Sequence, residues 1–79
     1  MTREEVIAVI KKNIVNNIDD IKEDEIDPQK SMKDFGANSL DIIEVVSCSM
    51  RELKIKIPRA ELAEIENVDQ LADKFMQFV

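Results

Sequence analysis

Gly36-Ala37-Asn38-Ser39-Leu40-Asp41 decides how this chain folds, because it sets a serine at the start of an amphipathic stretch directly after the only glycine in 79 residues. Gly36 permits backbone angles closed to other residues. Asn38 is among the strongest N-cap types, so a helix is expected to begin at Ser39 with Asp41 in its first turn. Ser39 would then face solvent at the positive end of that helix.

Working downstream, the helix is expected to run from Ser39 to about Leu53 and to stop before Pro58, with β-branched Ile55 and Ile57 marking an extended exit. Leu40, Ile43, Ser47 and Met50 follow one another along it at three- and four-residue steps, while Ile42, Val45, Val46, Ser49 and Leu53 form a neighbouring face. Both faces cannot be fully buried in so small a domain. A short helical turn is expected over Arg59 to Glu64, and Asn67 caps a last helix with Gln70 at its third position. Its apolar stripe is Val68, Leu71, Ala72, Phe75 and Met76, with Val79 at the end.

Upstream, Thr2 and Glu5 have the spacing of a capping box, and Val6, Ile7, Val9, Ile10, Ile14 and Val15 then recur at helical intervals. Helix one is expected from about Arg3 to Asn17. The next twenty or so residues carry many charges, Pro28 and no sustained period, so they read as a long loop anchored by Ile18, Ile21, Ile26, Met32 and Phe35. The fold class is therefore all-α: three main helices plus one short helix, with a long loop between helices one and two, in one domain covering residues 1–79.

Composition narrows the function. A chain of this size can bury one small core and is too small for a typical enzyme with a deep cleft. A formal charge of −6 argues against nucleic acid, which needs clustered lysine and arginine, and favours partners with basic surfaces. Residues 1 to 16 sum to +1, 17 to 35 to −4, 36 to 58 to zero and 59 to 79 to −3, so the acid lies in the loop and the C-terminal part. No apolar run reaches membrane length and the first residues lack a secretory h-region, so a cytoplasmic protein with no membrane contact is expected. The single cysteine, Cys48, rules out an internal disulfide and fits core or half-buried filler. The acids from Asp19 to Asp27 lack the glycine and alternating ligand spacing of an EF-hand, and no metal site is expected.

Gly-x-x-Ser-Leu-Asp, followed by a mostly apolar helix and then Ile57-Pro58, resembles the acyl carrier proteins over nearly the whole chain. The resemblance implies an acyl-carrier-like bundle in which Ser39 is esterified with 4'-phosphopantetheine, whose terminal thiol carries acyl groups. With no histidine in the chain, Ser39 cannot join a Ser-His pair, and hydrolase activity is not expected. As an acceptor it needs no internal base, because a separate phosphopantetheinyl transferase would supply one with magnesium and coenzyme A. The plain alternative is a first-turn serine without a role.

Further residues take roles from the same resemblance. Asn38 stands where the family most often has aspartate, which implies slower or more selective modification. Asp41 matches the family and could meet a basic partner residue or offset the helix dipole; the two are compatible. The resemblance puts Ile42, Val45, Val46, Ser49 and Leu53 on the core side, leaving Leu40, Ile43 and Met50 as an exposed strip flanked by Asp41 and Glu44. That strip reads as a docking surface for a ketosynthase, an acyltransferase or a similar enzyme. Packing of Ile43 and Met50 under the long loop is the competing reading. Ser49 falls where a large apolar residue is usual, and its hydroxyl is expected to bond a carbonyl one turn earlier. The aliphatic interior could part around an acyl chain or be an ordinary bundle core, and the second is the better reading.

Ile57-Pro58-Arg59 with Glu61-Leu62-Ala63, then Asn67 and Leu71-Ala72-Asp73, is similar to free-standing carriers of polyketide β-branching cassettes. That implies a monomeric acetyl carrier serving an HMG-CoA-synthase-like enzyme. A fatty-acid carrier, an aminoacyl carrier and a helical interaction module without an arm stand as alternatives.

Overall fold

The computed structural model describes residues 2–18, 20–62 and 65–78, with Arg59 by its backbone alone. Among these residues the helices are α1 (Arg3–Asn17), α2 (Ser39–Leu53), α3 (Arg59–Leu62) and α4 (Val68–Met76), with 3-10 turns at Glu23–Glu25 and Met32–Phe35. The described residues contain no strand, only one isolated bridge between Ser31 and Asn67. The all-helical bundle is the one expected. Glu64, the expected end of the short helix, and Val79 lie outside the described residues, as do Asp19 and Ala63.

Helix α1 is the centre of the bundle and packs against both α2 and α4. Val6, Ile10 and Ile14, at steps of four, are fully buried against Val45, Val68, Leu71 and Phe75 in one cluster. Thr2 Oγ1 accepts from Glu5 N at 3.2 Å, so one of the two bonds expected of a capping box is made. Arg3 then ties the start of α1 to α4, donating to Asp73 at 3.0 Å and to Asp69 at 3.2 Å.

The core is not wholly apolar, because Ser49 on α2 is fully buried and Asn13 on α1 is 7% exposed. The carbonyl expected as the partner of Ser49 is not the one used. Asn13 Nδ2 donates to Ser49 Oγ at 3.2 Å, to Val9 O at 2.9 Å and to Glu52 Oε2 at 3.4 Å, so the amide crosses from α1 and satisfies the serine. No described buried side-chain polar atom is left without a partner. Lys12 pairs with Glu52 beside this network, and that hydrogen bond holds the Glu52 carboxyl below its ordinary range.

Two devices position the segments around α2. The long connection is stitched to the start of α4: Met32 N donates to Glu66 O at 2.9 Å and Asp69 N to Pro28 O at 3.0 Å, while Ile26 and Met32 are buried. Beyond α2, the chain reverses at Lys54, which takes left-handed angles (φ 58, ψ 41). Ile55 N donates to Met50 O and Lys54 N to Arg51 O, a Schellman end with lysine at the position glycine usually holds. Met76, expected in the α4 stripe, is half-buried, and Val68, Leu71, Ala72 and Phe75 are buried.

Two stability measurements follow from this packing. Asn13→Ala is expected to cost about 1 to 3 kcal/mol, because it strands the buried Ser49 hydroxyl. A urea-melt cycle with Ser49→Ala should give a coupling of about 1 kcal/mol, and simple additivity would contradict the bond. Lys54→Gly should instead stabilise the protein by about 1 kcal/mol by relieving the left-handed lysine, which a rise in the urea midpoint would register.

Candidate functional site

The chain reaches α2 through a sequence of local constraints. Gly36 ends the Met32–Phe35 turn at φ 89, and its N–H donates to Lys33 O at 3.1 Å. An added Cβ there would meet nothing within 4 Å, so backbone conformation and not crowding requires glycine. Ala37 is buried and fixes the approach.

Asn38 then caps the helix in a reciprocal box. Its Oδ1 accepts from Asp41 N at 2.8 Å, and Asp41 Oδ2 accepts from Asn38 N at 3.2 Å. Ile42 N donates to Asn38 O at 3.0 Å. Asn-x-x-Asp is a short-armed version of the capping-box pattern, and that spacing was the signal available in the sequence. The Asp41 carboxylate thereby accepts from the cap backbone at the positive end of the helix.

With those amides engaged, the N–H groups of Ser39 and Leu40 have no protein partner among the described residues. Ser39 is exposed. An anion attached to its oxygen would lie beside free donors at a positive helix end, an arrangement stabilising by about 0.3 to 1 kcal/mol. The site therefore suits a phosphodiester on Ser39. It holds no imidazole, since the chain contains no histidine.

Below the serine, Leu40 is 76% and Ile43 50% exposed, and Glu44 is exposed beside them. Asp41 and Met50 are half-buried. Ile43 and Met50 do not pack under the long loop. They line a groove of about 320 Å³ with Ile42 and Val46 of α2, closed on its other side by Ile57 and Leu62 from the segment between α2 and α4. Ile42, expected in the core, opens into this groove because Ile57 and Leu62 leave it partly uncovered.

Comparison with known proteins agrees with this geometry. The family described as "Phosphopantetheine attachment site" matches residues 12–75, a span that contains Ser39, α2 and α3. The chain is similar to the polyketide biosynthesis acyl-carrier protein AcpK of Bacillus subtilis (strain 168), at 27% identity over 73 residues, covering 92% of this chain and 89% of that one. It is also similar to a solved structure described as the Curacin biosynthetic pathway HMG synthase in complex with acetyl donor-ACP. That match has a TM-score of 0.84 and 33% identity, covering 95% of this chain and 96% of the other. A helical bundle of this form, matched by that family over most of its length, belongs to the phosphopantetheine attachment site family, and the chain is an acyl carrier protein whose cofactor is covalent 4'-phosphopantetheine.

Proposed function

We propose that Ser39 is the attachment residue and that the protein, one carrier unit over residues 1–79 acting as a cytoplasmic monomer, presents acyl groups to separate enzymes without catalysing their chemistry. The observation that carries this reading is the exposed Ser39 beside two free N–H groups at the start of α2. When bound, the arm supplies a terminal thiol that holds acyl groups as thioesters. The chain's own residues have a narrower task. Asn38 and Asp41 fix the helix start, Ser39 Oγ accepts the phosphoryl group from coenzyme A while a transferase supplies base and magnesium, and the free amides hold the resulting anion.

The cargo proposed is acetyl, delivered for polyketide β-branching to an HMG-CoA-synthase-like enzyme. Two likenesses support it: AcpK is a polyketide carrier, and the structural relative is an acetyl donor in complex with an HMG synthase. Asn38, Leu40, Asp41, Ile43, Glu44 and Met50 are proposed to meet the enzymes that load and unload the arm. Leu40 and Ile43 offer exposed apolar area next to the attachment point, and such area is expected to be covered when a partner docks.

Incubation with coenzyme A and a broad-specificity phosphopantetheinyl transferase should add one arm to the wild-type intact mass and none to Ser39→Ala. An arm that survives Ser39→Ala would rule out this residue. Supplying acetyl-loaded protein to an HMG-CoA-synthase-like enzyme should give product, whereas transfer only from long acyl or aminoacyl loads would favour the fatty-acid or aminoacyl alternatives.

A further inference from the structure

The end of α2 remote from Ser39 has a charge pattern opposite to that of the protein. Arg51, Lys54, Lys56 and Arg59 place four of the chain's 11 cationic residues within one nine-residue stretch, in a protein of net charge −6. The stretch contains one acid, Glu52, and Lys12 of α1 already holds it. Arg51, Lys54 and Lys56 are exposed, and none of them pairs with a carboxylate among the described residues. Arg3, Lys12 and Lys74 are paired, whereas Lys11, Lys22, Lys30 and Lys33 also have no carboxylate partner among the described residues, so clustering is what sets Arg51, Lys54 and Lys56 apart.

These cations are chain neighbours of the groove walls. Arg51 follows Met50, Lys56 precedes Ile57, and Lys54 forms the turn between them. At the opposite end of the same groove, Asp41 and Glu44 flank Ile42 and Ile43. An offset of the α2 dipole accounts for Arg51 in the last turn and does not account for Lys56, which lies beyond the helix. The stretch of α2 beside the groove thus carries acids near Ser39 and, about three turns on from Asp41, at Arg51, begins a run of unpaired cations.

Building on the carrier reading above, we propose that Arg51, Lys54 and Lys56 form a second docking contact, occupied by a partner enzyme that sets carboxylates against them while an apolar side chain enters the groove. Complementarity at both ends allows one orientation of α2 along the enzyme, with Ser39 at the end where the arm must enter. A reversed pose would set like charges against each other at both ends.

The test is the association rate with the Curacin pathway HMG synthase, measured over a salt series for the arm-bearing protein. The triple variant Arg51→Glu, Lys54→Glu, Lys56→Glu should associate at least about tenfold more slowly at low ionic strength, with the gap narrowing at high salt. A neutral set, Arg51→Gln, Lys54→Gly, Lys56→Gln, should give an intermediate rate, and its glycine protects the fold. No association by the wild type, or equal rates for all three proteins, overturns the inference. Co-sedimentation of the wild type with phosphatidylglycerol vesicles, lost in the triple variant while the synthase rate is unchanged, would assign the cations to a lipid surface and also overturn it. Intact mass in the same preparations separates the two levels. Loading of every variant with equal synthase rates removes the docking contact alone, whereas failure to load the wild type removes the carrier reading beneath it.

Discussion

The reciprocal pair of hydrogen bonds between Asn38 and Asp41 is the constraint on which the site depends. It starts α2 at Ser39 and engages the third amide of the helix while leaving the first two free. Without it, the serine would sit in a fraying segment. With it, one hydroxyl is held outside the bundle beside unoccupied donors. Gly36 acts on the same feature from the other side, since its left-handed turn delivers the chain to the cap from the buried anchor Met32.

The rest of the fold serves to hold α2 still. Helix α1 contributes both the aliphatic stripe of Val6, Ile10 and Ile14 and the amide of Asn13, which reaches across to Ser49. A buried polar bond between two helices fixes their relative position in a way that interchangeable aliphatic contacts do not. The loop that precedes the site is held just as firmly, through Met32 and Pro28, to the beginning of α4. Ser39 is therefore mounted on a helix packed against α1 and entered from a loop tied to the start of α4.

Much of this could be read from the residues. The start and end of α2, the span of α1, the cap at Asn67 and the buried face of α4 follow from cap chemistry and helical period, which are local properties. What could not be read depends on neighbours distant in sequence. Asn13 looks like a polar interruption of an apolar stripe until α2 brings Ser49 to it across 36 positions. The left-handed Lys54 carries no glycine to announce the turn. Ile42, Ile43 and Met50 acquire their surroundings from Ile57 and Leu62, so periodicity along α2 alone could not say which apolar residues line a groove. At the candidate site, the exposed place of Ser39 at the head of α2 was legible from Gly36 and Asn38, while the part Asp41 plays in the cap required its side-chain geometry.

The central claim is that an arm on Ser39 places its phosphodiester against the free amides at the head of α2. Amide proton and nitrogen shifts recorded before and after loading with coenzyme A and a transferase test this directly. The account predicts that the Ser39 and Leu40 resonances move while those of Asn13, Val45 and Phe75 in the packed interior stay in place. Unchanged Ser39 and Leu40 resonances in protein shown by mass to carry the arm would contradict it.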